Sequence, residues 1–164
     1  MKKTLLLTLA LMASGCGPLP PDGPYETYYY FQRQLKLKGT YKAGELDGPY
    51  ESYYENGQLE EKGTYKAGEL DGPYESYYEN GQLEEKGTYV LGGVDPQGNT
   101  YTYSRHSPGV YIRGARDGPY VYYHENGQLQ SKGVLNMGGP CGEWIEYGET
   151  VTYDPCPPGL EDGN

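Results

Sequence analysis

Residues Gly39 to Lys62 read GTYKAGELDGPYESYYENGQLEEK, and Gly63 to Lys86 repeat them without a single change. Gly87-Thr88-Tyr89 opens a third copy, which 22 extra residues interrupt. It resumes at Gly109-Val110-Tyr111 and runs through Asp117-Gly118-Pro119-Tyr120 and Asn126-Gly127-Gln128-Leu129 to Gly133. A half-copy precedes the array (Asp22-Gly23-Pro24-Tyr25, then Gln34-Leu35), and another follows it, with Gly142-Glu143-Trp144 in the Gly-Pro-Tyr place. A fixed period of this length marks a repeat architecture, in which each unit buries its apolar face against its neighbours.

Each copy reads as a β-hairpin. Asn56-Gly57, Asn80-Gly81 and Asn126-Gly127 follow tyrosine-rich alternating segments, and Asn-Gly favours a two-residue type I′ turn with positive φ at both positions. Such a loop at 56–57 pairs Tyr54 with Leu59, Ser52 with Glu61 and Tyr50 with Gly63. One face then carries Tyr50, Tyr54, Leu59 and Tyr65. The other carries Glu51 opposite Lys62, with Tyr53 and Glu60. The bare Gly63 leaves room for the Tyr50 ring to lie across the strand. A lone hairpin is unstable in water. Consecutive hairpins, joined by loops such as Lys66 to Gly72, are therefore expected to add into one elongated, twisted antiparallel sheet, an all-β fold.

These residues (Gly63-Thr64-Tyr65, Gly68, Gly72-Pro73-Tyr74, Tyr77 and Asn80-Gly81-Gln82-Leu83) resemble the MORN repeat in its bacterial Tyr-x-x-Asn-Gly variant. The resemblance covers roughly residues 22 to 147 outside the insert. It implies an elongated hairpin array with an aromatic groove, used for protein contacts, self-association or lipid contacts. Some bacterial members carry an antitoxin label.

Composition fits this picture. Leu, Ile, Val and Phe supply only 25 of 164 residues, whereas tyrosine supplies 21, so phenol rings must do the work of an aliphatic core. The net charge of -10 would repel nucleic acid, so no nucleic-acid partner is expected.

The N-terminus reads as an export signal. Lys2 and Lys3 precede the apolar run Leu5 to Met12, which is far shorter than the ~20 residues of a membrane span. Ala13-Ser14-Gly15-Cys16 resembles the lipobox of bacterial lipoproteins, with Ala13 where that motif prefers leucine. The resemblance implies a signal peptide over 1–15, cleavage before Cys16 and palmitate-type acylation of its thiol. Gly17 after the cysteine implies sorting to the outer membrane, if the cell has one. Ala-Ser-Gly also satisfies ordinary signal cleavage, which leaves a secreted chain with a spare thiol as the alternative. Cleavage removes two lysines and no acid, leaving a charge of -12. Residues 16–22 form a short proline-rich tether, residues 23–154 the repeats, and residues 155–164 a tail.

The insert, about 90–108, carries the turn signal Asp95-Pro96-Gln97-Gly98 and a strand-like alternation over Thr100 to Tyr103, which predicts a longer hairpin or protruding loop. At the other end, Gly148-Glu149 as a two-residue turn pairs Tyr147 with Thr150 and Trp144 with Tyr153, and sets Cys141 opposite Cys156. Export permits a disulfide there, clamping the end of the array.

Candidate chemistry is sparse. His106 lies in the insert, and His124 stands where other copies have Tyr54 and Tyr78. Glu60-Glu61 and Glu84-Glu85 are adjacent acids expected to split across the two faces. No catalytic residue, metal or cofactor is expected. Tyr53, Tyr77, Tyr123 and Tyr147 recur on the charged face and either cover the sheet or form an aromatic binding face. The expected function is a membrane-anchored, non-enzymatic repeat lipoprotein, a binding or scaffold module of the cell envelope with a protein partner or self-association. The alternatives are a cell-wall or carbohydrate-binding module and an antitoxin- or inhibitor-like protein.

Overall fold

In the computed structural model the described residues are 21–31, 33–91, 102–103, 112–113 and 115–160. They contain no helix. The strands are β1 (Gly23–Tyr28), β2 (Leu35–Lys42), β3 (Glu45–Tyr53), β4 (Leu59–Lys66), β5 (Glu69–Tyr77), β6 (Leu83–Val90), β7 (Thr102–Tyr103), β8 (Ile112–Arg113), β9 (Ala115–Arg116), β10 (Gly118–Tyr123), β11 (Leu129–Asn136), β12 (Gly139–Glu146) and β13 (Glu149–Thr152). Eleven of them form one antiparallel sheet in chain order, β1 to β6 and then β10 to β13, with β9 beside β6. The short pair β7–β8 forms a separate two-stranded ribbon, with β8 close to β5. The fold is the all-β array of tandem hairpins that the period predicts.

The two ends of each hairpin turn differently from the sequence reading. Across Asn-Gly, Tyr54 N–H donates to Gln58 O (2.9 Å) and Gly57 N–H to Tyr54 O (2.9 Å). Gly57 alone takes a positive φ, +85°. The loop is thus three residues, a type I turn followed by a left-handed glycine. Tyr53 rather than Tyr54 pairs with Leu59, and a bulge at Glu60 restores Ser52 opposite Glu61 and Tyr50 opposite Gly63. Two irregularities cancel, so the inner register matches the one derived from a two-residue loop. The type I′ turn lies at the opposite end: Ala67 and Gly68 have φ of +49° and +77° between paired Lys66 and Glu69. The expected Lys66 to Gly72 loop is therefore a tight turn and the start of β5.

Strand β5 then bends. Tyr65 pairs with Leu70 but Gly63 with Tyr74, so β5 holds two more residues than β4 over this stretch. Gly72 absorbs the bend at φ +121°, where a Cβ is disfavoured. The bend carries Leu70 back over Gly63. A Cβ on Gly63 would lie 2.8 Å from Leu70 Cδ1. Leu70 is fully buried there. Its repeat-mate Leu46 lies over Gly39 in the same way.

The core is mostly aromatic. Leu46, Tyr50, Tyr65, Leu70, Tyr74 and Tyr89 form one buried cluster. Tyr50–Tyr65 and Tyr74–Tyr89 meet edge-to-face at 5.1 and 5.4 Å, a geometry that contributes about 0.5–1.5 kcal/mol per pair beyond burial. At the C-terminal end Trp144 takes over: its ring fills the space above Gly133, and its indole N–H reaches Val134 O at 3.0 Å.

Val90 pairs with Ala115 as Lys66 pairs with Glu69. The extra residues therefore occupy 91–114, in place of a two-residue turn, rather than about 90–108. The turn signal at 95–98 lies outside the described residues.

The last hairpin is shifted by two from the expected register. Tyr147-Gly148 is the turn (φ +52° and +85°), Glu146 pairs with Glu149, and Trp144 faces Val151 instead of Tyr153. Continued regularly, this register would set Asp154, not Cys156, opposite Cys141. Gly142 instead accepts from Tyr153 N–H (2.9 Å) and donates to Asp154 O (2.8 Å), an irregularity that lets Cys156 reach Cys141, with Cα atoms 4.9 Å apart.

Candidate functional site

Neighbouring hairpins are tied by side chains as well as by strand pairing, and the ties point one way along the chain. At the Asn-Gly edge, Tyr29 Oη donates to Tyr53 O (2.8 Å), Tyr54 Oη to Tyr77 O (2.7 Å) and Tyr78 Oη to Tyr123 O (2.8 Å). Asn56 Nδ2 donates to Glu79 O and Asn80 Nδ2 to Glu125 O, at 2.8 and 2.9 Å. Gln58 lies across Gly81 so closely that any Cβ there would collide with it. At the other edge, Asp22 accepts from Ala43 N–H (2.7 Å) and Asp117 from Met137 N–H (3.0 Å). His124 replaces the donating tyrosine in the last full copy. Its ring instead lies 6.4 Å from Tyr147.

These ties hold the outer face of the sheet in a fixed pattern. Strand alternation puts Tyr50 and Ser52 inward and Glu51 and Tyr53 outward, and the same holds for Tyr74, Ser76, Glu75 and Tyr77. Tyr28, Tyr53, Tyr77 and Tyr123 form an outer row on alternate strands. Beside it runs a row of ion pairs, with Lys38–Glu51 and Lys62–Glu75 each at 2.8 Å and Lys86–Glu75 at 3.2 Å. The hydroxyls of Tyr53 and Tyr77 donate to Glu51 and Glu75, two residues back on the same strand, and Tyr28 does likewise to Glu26. A tyrosine that reaches its own i-2 neighbour directs the long axis of its ring back along the strand. Burial disfavours the Glu75 charge, but hydrogen bonds from Lys62, Tyr77 and Lys86 outweigh it and bring its pKa down to about 2. Burial and the bond to Glu75 together push the Tyr77 hydroxyl up. Between Pro24, Thr40 and Pro49 and the Glu26–Lys38–Glu51 row lies a shallow depression of about 210 Å³.

Of the four tyrosines read as an aromatic face, Tyr53, Tyr77 and Tyr123 share this row. Tyr147 does not: it occupies the tight turn before β13, where it is exposed and backbone-strained. Tyr28 takes a place in the row that the sequence reading did not give it. Its signal was present, since Glu26-Thr27-Tyr28 matches Glu51-Ser52-Tyr53. Cys16 lies outside the described residues, as does His106.

The inner face carries the adjacent acids. The bulge at Glu60 brings both carboxylates of Glu60-Glu61 to one side, where Ser52 Oγ donates to Glu60 (3.0 Å) and Tyr74 Oη to Glu61 (3.1 Å). They do not split across the faces, because a bulge breaks the alternation that the split assumed. In the interrupted copy, Arg116 stands where other copies have Leu46 and Leu70. It pairs with the buried Glu85 (2.9 Å), its Nε donates to Tyr89 Oη (2.8 Å), and it stacks on the Tyr120 ring at 5.0 Å. Burial disfavours its charge, but Tyr89 and Glu85 raise its pKa further. Burial and Glu85 push Tyr89 up to about 12, against the pull of Arg116. The Leu-to-Arg change beside the insert is visible in the sequence, but the matching Leu70 falls within the Lys66 to Gly72 stretch that reads as loop.

No curated protein and no solved structure matches the chain. Three of its segments, residues 46–67, 70–90 and 116–135, match the MORN repeat variant, and each matched segment spans a bent strand, an Asn-Gly loop and the strand returning from it.

Proposed function

We propose that this protein is a lipid-anchored, non-enzymatic binding and scaffold module of the bacterial cell envelope. One observation carries the reading: one continuous sheet presents a tyrosine on the outer face of β1, β3, β5 and β10, with the hairpins fastened by repeated hydrogen bonds. Such a surface suits the grip of an extended partner, and the match to the MORN repeat variant supports a repeat binding module. The lipobox-like Ala13-Ser14-Gly15-Cys16 supplies location, and two or more acyl chains on Cys16 would hold the array at a membrane.

Labelling cells with a palmitate analogue tests the anchor. The wild-type chain should take up label and sediment with membranes, while Cys16→Ser should do neither. Crosslinking in intact cells tests the module. A protein captured with the wild-type array supports the reading; an unlabelled, freely soluble monomer with no crosslinked partner of any kind counts against it.

A further inference from the structure

We propose that the outer face is a docking platform for a linear β-1,4-linked glycan, which lies along the array with one disaccharide per hairpin. The inference deepens the binding-module reading and rests on it.

The first argument is spacing. Tyr28, Tyr53, Tyr77 and Tyr123 sit on β1, β3, β5 and β10, each separated from the next by one intervening strand. Neighbouring strands are 4.7–4.9 Å apart, so successive rings are about 9.6 Å apart. In a β-1,4-linked polymer each sugar is flipped relative to the one before. The same ring face therefore returns every second sugar, over a length close to this spacing.

The second argument is orientation. The Glu26, Glu51 and Glu75 carboxylates each take the hydroxyl of one of these tyrosines, which directs three of the rings along their strands in the same sense. A phenol on this outer row has a π face that suits the axial C–H groups of a pyranose, which present an apolar patch to an aromatic ring.

The third argument is polarity. The chain carries -10 overall, yet beside the tyrosines glutamate and lysine are paired along the row. A locally neutral strip rich in donors and acceptors fits an uncharged, hydroxyl-rich polymer better than a cation or a basic peptide. The depression beside the row, walled by Pro24, Thr40 and Pro49, gives a sugar substituent somewhere to sit.

The test is calorimetric titration of the full chain in detergent with β-1,4-linked N-acetylglucosamine oligomers, with α-1,4-linked glucose oligomers as the control. Affinity should climb from disaccharide to tetrasaccharide to hexasaccharide, and the α-linked series should not bind. Tyr53→Ala and Tyr77→Ala should each weaken hexasaccharide binding roughly 2- to 10-fold. Tyr77→Leu, which keeps apolar cover and strand preference but has no flat ring, should lose as much, whereas Tyr77→Phe should retain most of the affinity. Absence of binding, equal binding of α-linked oligomers, affinity independent of length, or full affinity in Tyr77→Leu overturns the proposal. Acylation and crosslinking are read separately, so a chain that is anchored and captures a protein but ignores glycans sinks this inference and leaves the binding-module reading standing.

Discussion

Gly63→Ala probes the feature on which the fold depends, the return of Leu70 over a residue without a side chain. Gly63 has ordinary extended backbone, so alanine costs nothing in φ. Its Cβ would meet Leu70 Cδ1 at 2.8 Å and Tyr74 Cδ2 at 3.3 Å, both buried and boxed in by the Tyr50–Tyr65 pair. Overpacking of this kind costs about 1–3 kcal/mol, and the stiffer unfolded chain returns about 0.4–1 kcal/mol, for a net loss of about 1–2 kcal/mol. For an array of this size that is a fall in Tm of roughly 2–8 °C. Leu70→Ala alone removes a fully buried side chain and should cost about 2–5 kcal/mol. In the double variant the new methyl enters the space that Leu70 vacates, so the pair should cost less than its sum by at least about 1 kcal/mol. The assay is urea unfolding followed by far-UV circular dichroism, with Trp144 fluorescence reporting on the remote end of the sheet. Additivity within about 0.5 kcal/mol would refute the contact between Leu70 and the space above Gly63.

Other consequences can be measured alongside. Arg116→Ala removes the guanidinium paired with the buried Glu85 carboxylate and should cost about 3–5 kcal/mol, while Arg116→Leu with Glu85→Gln should recover most of that loss in thermal melts. Glu75 has a folded pKa of about 2, below its unfolded value near 4.3, so its stabilising contribution is complete above the unfolded value and disappears as pH falls toward 2. Glu75→Gln should therefore flatten the acid limb of the stability curve over that window and leave the neutral plateau lower. Tyr89 has its pKa raised to about 12, so its contribution is complete below pH ~10 and is lost as pH rises toward 12; Tyr89→Phe should therefore flatten the alkaline limb of the sheet dichroism over that window. Reduction of Cys141–Cys156 should cost about 3 kcal/mol, and in hydrogen exchange it should loosen β12 and β13 while leaving β3 to β6 protected.

The hairpin period, the strand order and the pairing of Tyr50 with Gly63 were legible because alternation and turn spacing constrain them from many positions at once. Turn type was not. Asn-Gly suits both a two-residue I′ loop and a type I turn closed by a left-handed glycine, and only the bulge at Glu60, which has no sequence signature, decides the registry of Tyr53 and Leu59. Ala67 hid the true I′ turn, since alanine seldom takes a positive φ. Reading Lys66 to Gly72 as loop concealed Leu70 as a core residue, and the same error concealed Arg116. The pinned tyrosine row was half legible: recurrence gave Tyr53, Tyr77 and Tyr123, but the bond to the i-2 glutamate depends on side-chain orientation. Tyr147 was misplaced because the final hairpin closes one residue earlier than its Gly-Glu dipeptide suggests.

The one-way ties between hairpins make this architecture extensible. Excising Gly63 to Lys86 would rejoin Lys62 to Gly87 across a seam chemically identical to the two it replaces, with each tyrosine finding the carbonyl it expects. Splicing in further copies would lengthen the ruler by the same increment. Genetic slippage can therefore alter reach in whole steps without rebuilding a single joint.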